Sequence, residues 1–231
     1  MLIFIDVQTT GLESSDKVCS LGVVSCENKE VLTFYDLVDE GKKVPSIASS
    51  INHITRDMLK NKPSLTQSKA YKFLLENNKE SNTIIGHNVK FELSMLERTG
   101  FSFLGEVIDT LRVTKHLIPE CEIFSLQFLR YELDLYKKEG KKLIANHALD
   151  NALMVKNLYE YLKDMDAKSD FIKLSFKKVL LQKFEFGKYS GQYIEEISMS
   201  DRAYLEWMLS NIVDLDDDLR YSIEYNLGSI L

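Results

Sequence analysis

Phe4-Ile5-Asp6-Val7-Gln8-Thr9-Thr10-Gly11 sets a carboxylate and an amide at the end of a short β-prone run. Strand side chains alternate, so Asp6 and Gln8 share one face, just ahead of a Thr-Thr-Gly turn. Gly86-His87-Asn88-Val89-Lys90-Phe91-Glu92-Leu93 puts a second acid, Glu92, near the start of a helix that follows another strand. Asn146-His147-Ala148-Leu149-Asp150-Asn151-Ala152 opens a third segment, again helical. Alone, Asp6 reads as a strand-end turn former and His87-Asn88 as a helix start. Carboxylates are also the hard anionic oxygens that Mg²⁺ selects.

The order and spacing of these segments resemble the DEDDh exonucleases. That family's first motif is a strand-end Asp, then Glu two residues later, then Thr-Thr-Gly; here Gln8 stands at the Glu position. Residues 86–93 resemble its His-Asn-x-x-Phe-Asp motif, with Glu92 where Asp belongs. Ile51-Asn52-His53-Ile54-Thr55 resembles its His-Gly-Ile-Thr segment. Residues 146–152 are similar to its His-x-Ala-x-x-Asp-Ala motif, which places Asn146 at the general-base His and Asn151 at the last metal-binding Asp. Ser20 lies where many relatives carry Glu. Phe186-Gly187-Lys188-Tyr189-Ser190-Gly191 and the stretch from Asp201 to Asn211 resemble the C-terminal extension of exonuclease X-type members.

The resemblance implies an RNase H-like α/β fold and phosphodiester hydrolysis at two divalent cations, held by four carboxylates, with a loop His taking the proton of the attacking water. Asp6 and Glu92 leave −2 where the family has −4, because Gln8 and Asn151 are neutral. An amide oxygen lacks the charge that offsets stripping water from Mg²⁺. Glu92 is one methylene longer than Asp, which moves its carboxylate by about 1.5 Å. Asn146 does not titrate near neutral pH and so cannot act as the base. His147 and Asp150 are the neighbouring residues that could rescue Asn146 and Asn151, although one step along a helix turns Asp150 about 100° away. Otherwise His147 reads as a surface loop residue and Asp150 as an exposed first-turn acid.

The expected cofactor is one Mg²⁺ or Mn²⁺ at Asp6 and Glu92, bound weakly, rather than a tight pair. The expected partner is the 3′ end of a nucleic acid, single-stranded DNA foremost, recognised while hydrolysis is weak or lost. The alternative is an active 3′→5′ exonuclease using Asp6, Glu92 and His147 or Asp150. A third possibility is a non-catalytic interaction scaffold. Candidate nucleic-acid contacts are Thr9, Thr10, Gly11, His87, Asn88, Lys141 and Lys142, the lysines belonging to a basic loop, Lys137–Lys142.

These groups need strands and helices to place them. Leu2–Val7, Val18–Ser25 and Glu30–Val38 alternate as strands, separated by turn residues. Helical periodicity follows over Ser64–Glu76, Val89–Arg98, Thr110–His116, Ser125–Leu133 and His147–Lys163, with short strands at Thr83–His87 and Glu106–Asp109. The pattern predicts a mixed five-stranded sheet with flanking helices, then a small C-terminal module. We place the exonuclease-like domain at residues 1–165 and the exonuclease X-like extension at 166–231.

The chain has 231 residues, 45% hydrophobic and 28% charged, with a net charge of −6. No apolar run is long enough to span a bilayer, so no membrane association is expected. Three cysteines without metal-finger spacing point to reduced thiols and a cytoplasmic setting. The acidity is uneven: Lys168–Lys188 holds six Lys and two acids, a local +4, interleaved with aromatic residues, and Asp214–Asp218 holds four Asp. The first stretch reads as a small aromatic core around Trp207, Tyr204 and Leu205 or as a strand-binding surface. The second repels nucleic acid and suits a protein partner.

Overall fold

The computed structural model describes residues 1–229, so the last two residues of the expected extension lie outside the described residues. β1 (Leu2–Thr9), β2 (Val18–Glu27) and β3 (Glu30–Leu37) pair antiparallel in succession. β4 (Thr83–Gly86) and β5 (Glu106–Asp109) add on the other side of β1 in parallel. The order β3-β2-β1-β4-β5 makes the five-stranded mixed sheet that the alternation predicts, with β1 in its middle.

Ile3, Ile5 and Val7 pack into a core with Tyr71, Leu74, Met95 and Leu96, supplied by α3 (Lys69–Glu76) and α4 (Val89–Glu97). Phe4, of opposite parity, meets the ring of Tyr159 edge-on at 5.6 Å, on α7 (Ala148–Met165). Asp6 and Gln8 share the parity of Phe4, so they belong to the face that α7 covers. Gly22 lies opposite Asp6 in the β1–β2 ladder, and a Cβ there would sit 2.3 Å from the Ala148 carbonyl carbon. Only glycine lets the first turn of α7 approach so closely.

The predicted helix over Ser64–Glu76 is interrupted: Leu65–Gln67 is a single 3₁₀ turn, and Ser68, rather than Ser64, caps α3 by accepting from Tyr71 N. α1 (Ser46–Asn52) and α2 (Arg56–Leu59) were not apparent in the periodicity, being too short to show a repeat. α5 (Thr110–Leu117) and α6 (Leu126–Glu132) follow β5, and the latter has Ser125 as its N-cap.

The described chain divides into two compact units, residues 1–113 with 123–175, and residues 114–122 with 176–231. α8 (Phe171–Phe176) ends at that division. The second unit contains α9 (Ile194–Ser200), α10 (Arg202–Asn211) and α11 (Asp217–Asn226), packed around Phe184, Ile194, Leu205, Met208 and Ile223. Tyr204 packs against that core, but Trp207 stacks on Tyr204 and remains 52% exposed, not buried as its sequence context implied. The acidic cluster is partly structural: Asp216 caps α11, and buried Asp218 accepts from Val179 N. No described helix is long and apolar enough to cross a membrane.

Candidate active site

The end of β1 and the start of α7 meet at Asp6. Gln8 Nε2 donates to Asp6 Oδ2 at 2.7 Å, and Asn151 Nδ2 donates to Asp6 Oδ1 at 3.2 Å. The backbone N–H of Asn146 donates to Asn151 Oδ1 at 3.2 Å. That bond fixes the amide's orientation, because a backbone N–H can only donate, so the Asn151 oxygen faces the loop and its nitrogen faces Asp6. Asp6 is therefore clasped by an amide on each carboxylate oxygen.

Burial pushes the Asp6 carboxyl up to about 7, against the lowering pull of the Gln8 and Asn151 hydrogen bonds. Glu92, on α4, is only 5% exposed and its Oε2 is buried without a hydrogen-bond partner. Burial first, then the charges of Asp6 and Asp109, hold the Glu92 carboxyl well above the usual range.

The folded protein thus holds a proton on Asp6 from about pH 4 to about pH 7, where the unfolded chain has lost it. Stability from this group is full below that window and lost as pH rises through it. Asp6→Asn is expected to raise the thermal midpoint at pH 8, by about 2–4 °C for each kcal/mol recovered, and less at pH 5. Scanning calorimetry in chelator checks it, and a gain that does not grow with pH contradicts the raised carboxyl.

The loop before α7 differs from both rescue readings. Asn146 has a left-handed backbone, φ 56°, and its Nδ2 donates to Ile51 O at 3.1 Å. His147 is the α7 N-cap: its Nδ1 accepts from Asp150 N at 3.4 Å, and its ring stacks on Tyr35 at 4.2 Å. Asp150 is 3% exposed, not the exposed acid that its first-turn position implied. Its Oδ2 accepts from Ile144 N at 2.9 Å, and its Oδ1 faces Lys141 Nζ at 3.4 Å. Asn151, not Asp150, reaches Asp6. Asp150 instead braces the loop.

The turn after β1 is tied down from several sides. Thr9 Oγ1 donates to Gly11 O, and Thr10 Oγ1 to Asp16 Oδ1, both at 2.7 Å. Asn52 Nδ2 donates to Thr9 O at 3.1 Å, and Lys42 pairs with Asp16 at 2.7 Å. A Cβ on Gly11 would fall 2.4 Å from Asp16 Oδ2. Both hydroxyls, the Thr9 and Gly11 carbonyls and the Thr10 N–H, which donates to Lys17 O at 2.9 Å, are all engaged within the turn and its neighbours.

His87 is a strut: its ring nitrogens contact Thr110 Oγ1 at 3.0 Å and Phe124 O at 2.7 Å, which leaves neither for a phosphate. Asn88 takes a left-handed conformation, φ 70°, and its N–H donates to Asp109 Oδ1. Ser20 faces Gln8 across the ladder. Sequence reasoning had not singled out Asp16 or Tyr35. Asp109 stood only as the end of a short strand, and Asn52 only as part of a resembling segment. Each has a partner far along the chain, Lys42 for Asp16, His147 for Tyr35, Asn88 for Asp109 and Thr9 for Asn52, which local spacing does not mark.

A tight pair of divalent cations does not fit this donor set. Both Asp6 oxygens accept amide donors, the Asn151 oxygen is committed to Asn146, and the Gln8 and Asn151 side chains bring no charge. Among the described residues no cluster of three His, Cys, Asp or Glu side chains is arranged to hold a metal. Glu92 Oε2 is buried without a hydrogen-bond partner.

The family model for exonucleases matches residues 3–159. The chain belongs to the DEDDh exonuclease family. A second model, for the C-terminal region of exodeoxyribonuclease X-like proteins, matches residues 184–213 of this DEDDh member. The chain is 22% identical to exodeoxyribonuclease 10 of Escherichia coli K12, over 98% of its own length and 99% of the relative's. It is 30% identical to the PolC-type DNA polymerase III of Lacticaseibacillus paracasei over 65% of its length, which is only 10% of that protein. Among solved structures, exonuclease X in complex with 5′-overhanging duplex DNA superposes with a TM-score of 0.62 at 20% identity, covering 76% of this chain and 99% of the other. An E. coli exonuclease I–single-stranded DNA complex superposes at 0.56 and 18% identity, covering 72% and 41%. Likeness at these identities establishes the RNase H-like exonuclease fold.

Proposed function

We propose that this DEDDh member binds the 3′ end of single-stranded DNA and hydrolyses it weakly or not at all. The carrying observation is the pair of amide donors that clasp both oxygens of Asp6, where the family's chemistry calls for carboxylates around cations. Asn146 adds to it, since it has no proton-accepting group and its side chain is bonded to Ile51 O. Displacing the amide donors from Asp6 would leave it and Glu92 to hold a single Mg²⁺ or Mn²⁺, which commonly sits on one or two carboxylates plus a substrate phosphate. Such an ion would partly neutralise the terminal phosphodiester against these acids. The turn of Thr9, Thr10 and Gly11, with Lys141 and Lys142, supplies the remaining contacts of this reading. Complexes of exonuclease X and exonuclease I with DNA support a nucleic-acid ligand.

The test uses 5′-labelled single strands with Mg²⁺ or Mn²⁺. Binding is expected to weaken steeply with salt, with a log–log slope of about −0.7 per phosphate contacted. Cleavage is expected to stay near background. Robust cleavage that Asp6→Ala abolishes in the same preparation overturns the loss of hydrolysis, and no binding at low salt overturns 3′-end recognition.

A further inference from the structure

Beside α6 lies a cavity of about 340 Å³ lined by Arg130, Tyr131, Tyr136, Glu139, Lys141 and Lys142. Its size falls within the range of small-molecule sites, roughly 300–1,000 Å³. Two aromatic rings stand at its wall rather than in the core: Tyr131 is 55% and Tyr136 40% exposed, with centroids 5.4 Å apart. Under them is a built polar floor. Arg130 and Glu139, each 4% exposed, form a two-bonded ion pair, Nε to Oε1 at 2.7 Å and NH2 to Oε2 at 2.6 Å. The pair cancels its own charge, so the lysines decide the sign of the opening. Lys142 is exposed and makes no ion pair among the described residues, and Lys141 reaches Asp150 only at 3.4 Å.

Flat exposed rings with ammonium groups at the rim match one kind of ligand, an aromatic base that carries a phosphate. An apolar peptide would find charged walls, and a lone anion would make no use of the rings. We propose that this cavity is a nucleotide subsite, separate from Asp6, that takes one unpaired nucleotide of a bound strand. The base stacks on Tyr131 and Tyr136, and the phosphate lies on Lys141 and Lys142. The Lys141–Asp150 pair ties the rim to the first turn of α7, where the next residue, Asn151, holds Asp6. One strand can then engage both places. This proposal rests on the single-strand reading above, shares its Lys141 and Lys142, and adds Tyr131 and Tyr136, which that reading does not use.

The experiment is fluorescence anisotropy of fluorescein-labelled dT12, and of the same strand with abasic sites replacing its bases, at fixed salt. Tyr131→Ala with Tyr136→Ala is expected to weaken dT12 binding roughly 5- to 100-fold and leave the abasic strand unchanged. Tyr131→Phe with Tyr136→Phe keeps the stacking surface and is expected to bind like wild type. Lys141→Gln with Lys142→Gln is expected to weaken both strands and make the salt slope shallower by about 0.7, the share of one phosphate. The rings are exposed, so the thermal midpoints of these variants should stay near wild type. Wild-type affinity of the double Ala variant for dT12, or equal losses on both strands, overturns the subsite. Competition by micromolar dTMP reassigns the cavity to free nucleotides and overturns the strand assignment. Failure here with an Asp6→Ala binding defect leaves the Asp6 reading standing, and the converse result separates the two the other way.

Discussion

The fourfold variant Gln8→Glu, Glu92→Asp, Asn146→His, Asn151→Asp is expected to cleave single-stranded DNA with Mg²⁺ or Mn²⁺ at least about 100-fold faster than wild type. A positioned general base alone contributes roughly 10²–10⁴ in such reactions, and the variant also restores two missing charges. The changes must come together. Gln8→Glu alone would press a new acid against a carboxyl already pushed up to about 7, with no cation to relieve it. Asn151→Asp alone would replace a donor to Asp6 with a repelling oxygen. Asn146 has φ 56°, a conformation in which His is enriched among non-glycine residues, so the base can enter without rebuilding the loop. The variant should be destabilised in chelator by crowded carboxylates and regain thermal stability on adding Mg²⁺ or Mn²⁺. Wild type should show a much smaller metal response. Gel analysis of labelled strands reads the rate and calorimetry reads the metal dependence. Wild-type cleavage as fast as the variant's sinks the account of the amide clasp.

Gly22→Val is expected to cost roughly 3 kcal/mol or more of stability. Strand propensity alone argues the opposite sign, because valine is among the best strand residues and glycine among the poorest. Packing decides it. The new Cβ would lie 2.3 Å from the Ala148 carbonyl carbon and from Leu149 N, and 2.4 Å from Ala148 O. Those are backbone atoms and cannot swing aside as a side chain would. The first turn of α7 must lift off β2, and Asn151 rides on that turn. Denaturant titration should show the midpoint falling with the slope unchanged. A loss below about 0.5 kcal/mol would mean that α7 slides without cost.

The strands were legible because β1, β2 and β3 alternate cleanly and turn residues separate them, and period two alone put Asp6 and Gln8 on one face. The helices were legible where they are long. Ser64–Glu76 misled because one amphipathic stripe runs through a 3₁₀ turn and a helix, and the true cap, Ser68, is marked only by its bond to Tyr71 N. Asp150 read as exposed because a first-turn acid usually is; its burial comes from a loop that folds back to give it the Ile144 N–H. The segments that the motif order picks out do meet: Asn151 bonds to Asp6, and the charge of Asp6 acts on Glu92. Motif order could not reveal that Asn146 orients the Asn151 amide. That depends on a left-handed residue, which no pattern of types announces. Of the expected core residues, Leu205 is buried with Met208 and Ile223 and Tyr204 packs against them, but Trp207 stays exposed.

The central position of β1 has a consequence for synthesis on the ribosome. Its neighbour β2 follows within a few residues, but β4 begins at Thr83, 74 residues after Thr9. At translation rates of about 5–20 residues per second, one edge of β1 waits roughly 4–15 s for its parallel partner. During that interval the nascent chain carries an open, apolar edge of the kind that recruits other strands. The sheet's most protected strand in the finished fold is its most vulnerable one during birth.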